Sequence, residues 1–235
     1  ATDTCYYVTG LAAPSSNVFS RRSIFLKLDL AGNTDFHTIS STGFKKNTEP
    51  WTPTLQPLSD NRFALYAFTV DSNNIRRAAV LKYTSAGALV SVNEYVNGFD
   101  STEFLRPDDL GRFPNGDFLL VNHGQTGNQT QRHDMELIRT DSLGNEIWRR
   151  HYGNSWNDIA YSSLIRENGN IIIGGYRSNA SFVQNNFRVW NHIFEIDTAG
   201  QIVWDYLSPI DGSELYGGVR DMIFTEDGGI LCASS

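Results

Sequence analysis

Apolar and polar positions along the chain alternate with a period of two, in runs of five to nine residues broken by Gly- and Asn-rich corners. The clearest stretch is 134–178. Its runs are 135–140, 146–152, 159–166 and 171–176, separated by Ser142-Leu143-Gly144-Asn145, by 153–158 and by Glu167-Asn168-Gly169-Asn170. Each run has the length of a strand, and Asn-Gly is a strong short-range hairpin signal. The stretch predicts four antiparallel strands, with two tight turns flanking one longer loop.

The unit recurs. Aligning the glycine of the first turn gives Gly32, Gly87, Gly144 and Gly200, separated by 55, 57 and 56 residues (87−32, 144−87, 200−144). Three positions before each glycine stand Asp29, Thr84, Asp141 and Asp197. The second turn recurs as Asp60-Asn61-Arg62, Asn115-Gly116-Asp117, Asn168-Gly169-Asn170 and Asp227-Gly228-Gly229. Four strands per period of about 56 residues identify propeller blades. The predicted fold is all-β: a β-propeller of four-stranded blades.

The tally gives one β-propeller domain over 1–235. Residues 1–22 form the outer strand of an incomplete blade and a loop. Blades follow at 23–76, 77–133, 134–191 and 192–235. A lone N-terminal outer strand needs inner strands from elsewhere, so this bookkeeping predicts an incomplete ring with further blades beyond Ser235. It also expects the first strand of each repeat to lie innermost. The short turns fall on one face and the long connections on the other, where binding residues concentrate on a rigid scaffold.

Composition narrows the partners. The chain is 40% hydrophobic and 12% aromatic, within the globular range. Its net charge of −7, with basic residues no denser than pairs such as Arg149-Arg150, gives no cationic face for nucleic acid. No apolar run approaches a membrane span, so no membrane insertion is expected. Cys5 and Cys232 fit neither a disulfide scaffold nor a zinc site. Both fall at fourth-strand positions and read as small buried residues.

Catalytic signatures are missing: there is no G-x-S-x-G elbow, H-E-x-x-H or P-loop. The five histidines show no ligand spacing, although His123 and His133 flank one loop. No metal and no cofactor are expected. Trp148 and Trp204 read as packing between blades, and Asp141 and Asp197 as acceptors that fix the first turn. The long-loop face carries Trp51, Phe99, Trp156, Trp190 and Tyr216, with carboxylates including Asp100, Asp108, Asp109, Asp158, Asp211 and Glu214. Flat aromatic faces beside polar groups suit sugar rings or peptide segments. The binding candidates are Trp51, Phe99, Trp156, Asp158, Trp190, Asp211 and Tyr216.

The repeat resembles that of secreted β-propeller proteins from Bacteroidota-type bacteria. The resemblance rests on Leu26-Lys27-Leu28-Asp29 with Gly32-Asn33. It rests further on Asp141, Gly144-Asn145, Trp148, Tyr152-Gly153, Ser163-Leu164 and Asn168-Gly169, and on Asp197, Gly200, Trp204 and Asp227-Gly228-Gly229. It implies export, often with a C-terminal sorting domain for type IX secretion, and a place on the outer cell surface or in a secreted complex. The Gly-to-Trp spacing of four is also similar to pyrroloquinoline-quinone-type propellers, whose enzymes commonly carry a vicinal cysteine pair that this sequence lacks. The expected function is a non-catalytic binding or scaffold module recognising a glycan or protein through its long loops, within a larger surface complex. The alternative is a polysaccharide-acting hydrolase or lyase that uses carboxylates of the loop face.

Overall fold

A computed structural model describes residues 5–12, 22–39, 54–58, 61–70, 76–96, 98, 105–125, 133–153, 157–179, 188–208 and 217–234. Among these residues every regular element is a strand. The chain divides into two compact units, 1–96 and 97–235.

In the first unit, β1 (Cys5–Ala12), β2 (Arg22–Asp29) and β3 (Thr34–Ile39) form one antiparallel sheet in that order. A second sheet runs β4 (Thr54–Pro57), β5 (Arg62–Val70), β6 (Arg76–Thr84), β7 (Leu89–Tyr95). Leu65, Ala67, Ala79, Leu81 and Tyr83 form its buried core with Leu55 against them. The Tyr7 ring lies 4.1 Å from that of Phe63, joining the two sheets.

In the second unit, β8 (Leu105–Arg112), β9 (Phe118–Gln125), β10 (His133–Thr140) and β11 (Glu146–Tyr152) form one antiparallel set. A second set is β12 (Asn157–Ile165), β13 (Ile171–Ser178), β14 (Val189–Ile196) and β15 (Ile202–Leu207). A single parallel pair, His133 with Asn157, bridges the two. Then come β16 (Val219–Phe224) and β17 (Ile230–Ser234), paired antiparallel.

These sheets are offset by two strands from the repeat. Each four-stranded sheet takes the third and fourth runs of one repeat and the first and second of the next. The expectation that the first strand lies innermost is therefore corrected. β8, β12 and β16, the third strands, lie side by side, and β7, β11 and β15, the second strands, form exposed outer edges. The fourth strands β9 and β13 pair on both sides, which is why they are almost wholly buried. A repeat can be cut at any point of its period, so spacing alone leaves this phase open.

The turn chemistry follows the sequence. Gly32, Gly87, Gly144 and Gly200 have φ of 86°, 79°, 97° and 81°, and Asn61, Gly116, Gly169 and Gly228 are also at positive φ. Such angles exclude most side chains. The Asp141 Oδ1 accepts from the backbone N–H groups of Leu143 and Asn145 at 2.8 Å. Asp29 and Asp197 repeat the arrangement.

The core lies between sheets. Leu119, Val121, Met135 and Leu137 from β9 and β10 meet Ala160, Ile171, Ile173, Phe194 and Ile196 from β12 to β14. Each fully buried aliphatic side chain there contributes about 1.5–3 kcal/mol. Trp148 packs on this core and its indole N–H donates to the Thr198 carbonyl at 3.0 Å, in the turn of the following sheet. Trp204 packs in the same way on Ile172, Val219 and Met222, against β16 and β17. Both tryptophans thus sit between sheets, as their spacing predicts. Both cysteines are free thiols and half-buried.

Candidate functional site

Three neighbouring inner strands carry the same irregularity. Pairing slips between Pro107 and Asp109 on β8, between Ala160 and Ser162 on β12, and between Val219 and Asp221 on β16. A bulge of this kind adds one residue and re-aims its side chain. The added residues are Asp108, Tyr161 and Arg220. The local sequence favours the slips: Pro107 has no N–H to give a ladder. Asp109 and Asp221 then accept from the next backbone N–H, those of Leu110 and Met222, each at 2.8 Å.

The three added residues converge. The Arg220 guanidinium lies 3.8 Å above the Tyr161 ring, and both Tyr161 and Arg220 act electrostatically on Asp108 or feel its charge. Tyr161 in turn lies 5.8 Å from Tyr176. Beneath them the Asp108 Oδ2 is 2.6 Å from His123 Nδ1, with both side chains about 95% buried. Arg106 approaches the other nitrogen of His123 at 3.5 Å. The His133 ring meets His123 edge-on at 5.8 Å and is 3.2 Å from the Asn157 Oδ1. Arg220 is exposed and Tyr161 half-exposed, so they form the mouth of the site and Asp108 its floor.

Burial sets the proton chemistry. It pushes the Asp108 carboxyl above the usual carboxylate range, and the neighbouring His123, Arg106 and Arg220 only partly offset it. Burial raises the Tyr161 phenol as well, and lowers His133. The arrangement can therefore hold a proton on a carboxyl group at the base of a cationic, aromatic mouth. Among the described residues no three His, Cys, Asp or Glu side chains gather as metal ligands.

Of the seven residues expected to bind, Trp51, Phe99, Trp156, Asp211 and Tyr216 lie outside the described residues. The other two meet in one row. Asp158 on β12 is opposite Arg177 on β13, which is opposite Trp190 on β14. The Asp158 side chain is fully buried and its Oδ1 accepts from Arg177 Nε at 2.7 Å. Asp108 was legible as a carboxylate on the long-loop face. Tyr161 and Arg220 were missed: a bulge shifts the alternation by one residue, and in strands this short the shift does not stand out.

No protein-family model and no curated protein matches the sequence. Solved structures do resemble it. The endo-arabinase of Bacteroides thetaiotaomicron aligns over 98% of this chain and 84% of its own, with a TM-score of 0.54 and 12% identity. A Bombyx mori GH32 β-fructofuranosidase aligns over 99% of this chain with a TM-score of 0.48 and 11% identity. A Synechocystis apocarotenoid oxygenase aligns over 85% with a TM-score of 0.47 and 15% identity. The chain spans 57% and 48% of the last two. The endo-arabinase match establishes the β-propeller-type fold. It also corrects the expectation of a non-catalytic binding or scaffold module, since the architecture is one that an endo-arabinase uses.

Proposed function

We propose that the protein is a polysaccharide-acting hydrolase whose reaction centre is the cluster of bulged residues Asp108, Tyr161 and Arg220. The observation that carries this reading is the convergence of three bulges on one buried, proton-holding carboxyl group. Bulges of this kind recur next to active sites, and glycoside hydrolysis needs a carboxylic acid that stays protonated to donate to the leaving oxygen. Asp108 fills that role at the floor, with His123 holding its orientation. Tyr161 and Arg220 at the mouth offer a ring face and a guanidinium to a sugar.

The reaction also needs a second carboxylate. The activity named for the endo-arabinase makes arabinan the first polymer to try. A location outside the cell goes with a polymeric substrate and with the Bacteroidota-type repeat, and fractionation of the source cells tests it. Purified protein incubated with arabinan, xylan, galactan and fructan should release reducing ends from at least one, and Asp108→Asn should slow the release by about 10²–10⁴-fold. Absence of release from every polymer, or an undiminished Asp108→Asn variant, overturns the reading.

A further inference from the structure

The mouth of the bulged cluster differs in charge from the chain as a whole. The protein carries a net charge of −7, yet the exposed residue that the β16 bulge adds is an arginine. The Arg220 guanidinium lies 3.8 Å above the Tyr161 ring. Gly218 permits the approach of β16 to that ring, where a Cβ would stand only 3.1 Å away. A planar guanidinium stacked on a ring is held in place, so less side-chain freedom is lost when a ligand binds.

A second guanidinium acts on the same cluster. Arg106 is 3.5 Å from His123 Nε2, and its charge, like that of Arg220, is felt by both Asp108 and Tyr161. The carboxyl groups of β8 offset these charges only in part. Burial raises Asp108 and Asp109 alike, and the Asp109 Oδ2 accepts from the Ser163 N–H and hydroxyl. Asp221, next to Arg220, has its Oδ1 on the Met222 N–H at 2.8 Å. With Asp108 in its acid form, the cluster joins two cations to a neutral acid and to a phenol whose ionisation burial opposes.

Arginine only donates hydrogen bonds. The group that suits it is an acceptor, and an anion with two oxygens matches its planar fork best. An anionic polymer also meets an unfavourable field over most of a protein of this charge, so a local cation is what such a ligand requires. We propose, on the reading of this cluster as the reaction centre, that it takes an acidic glycan, with Arg220 receiving the carboxylate of a uronic acid at the mouth. Charge pairing then acts at Arg220 and proton transfer at Asp108, so binding and cleavage draw on different residues.

Isothermal titration of the full chain carrying Asp108→Asn, in which cleavage is slowed, tests this. The probes are glucuronate-substituted xylo-oligosaccharides and oligogalacturonates, each beside its carboxyl-reduced form. At least one acidic probe should bind about tenfold or more tighter than its reduced form, the scale of a hydrogen bond between charged groups. The difference should shrink as salt rises. Arg220→Gln, a change at an exposed position, should erase the difference while the reduced form still binds. The proposal is overturned if acidic and reduced forms bind alike, if neither binds, or if Arg220→Gln keeps the preference. Reducing-end release by the unmodified protein is measured in parallel. Preference for an acidic probe without release from any polymer refutes the catalytic reading alone, and release without that preference refutes the acidic ligand alone.

Discussion

Asp109 on β8 and Ser163 on β12 are joined twice: the Asp109 Oδ2 accepts from the backbone N–H of Ser163 at 2.8 Å and from its hydroxyl at 2.7 Å. No backbone ladder connects these two strands, so the carboxylate stands in for one. It fixes the spacing between the strands that present Asp108 and Tyr161. Asp109→Ala leaves two half-buried donors on Ser163 unmatched and should cost about 1–3 kcal/mol. Chemical denaturation measures the loss, and a cycle with Ser163→Ala should show coupling between the two changes.

Asp108 links pH to both rate and stability. Its pKa is raised by burial, so the acid form persists above the ordinary value of 3.8. Polymer cleavage should be present below the raised value and fall as pH rises through it. Asp108→Asn should reduce the rate by about 10²–10⁴-fold, the usual contribution of a general acid. Folding stability has the same sign. The contribution of Asp108 is full below the unfolded value and is lost as pH climbs through the folded one. Asp109, also raised by burial, acts in the same direction. Melting temperature against pH should therefore lose part of its alkaline decline in Asp108→Asn.

Arg177→Ala should be among the most damaging changes at a partly exposed position. It removes the guanidinium that donates to Asp158, whose side chain is fully buried. Breaking a buried ion pair by deleting one member costs about 3–5 kcal/mol. Arg177→Leu combined with Asp158→Leu should recover much of the loss, because no charge is then left behind. Thermal unfolding of the single and double variants gives the comparison.

Gly175→Ala should yield no folded protein. A Cβ at this position collides with the carbonyl oxygen of Ile159 on the neighbouring strand, and backbone has nowhere to move in so well-packed a sheet. The expected loss exceeds about 4 kcal/mol, visible as absent soluble yield. Gly116→Ala makes no such contact, its nearest neighbour being Ser142 Cβ at 3.6 Å. It should cost only the strain of its positive φ.

The corners of the repeat were fully legible. Gly144 and Gly200, with Asp141 and Asp197 three positions earlier, announce both the turn and its hydrogen bonds, because a positive φ and an Asx acceptor are local demands. Trp148 and Trp204 were legible for the same reason: equal offsets from a glycine give equal places on an outer strand. The grouping of strands into sheets was not, since it depends on which runs pair across a long connection. The proposed reaction centre was least legible. Asp108, Tyr161 and Arg220 stand 53 and 59 positions apart (161−108, 220−161), a difference hidden within loops of variable length. Their chemical identities also differ, so nothing repeats except the bulge itself.

The Trp148 indole reaches forward to the turn of the sheet that follows, and Trp204 packs forward on the strands after its own. In the second unit each of these tryptophans is therefore covered by the sheet that follows its own, and damage there acquires a direction. Loosening β16 and β17 would uncover Trp204 first while leaving Trp148 shielded. Unravelling should thus advance backwards along the chain, one sheet at a time, with the fluorescence of the two indoles changing in sequence.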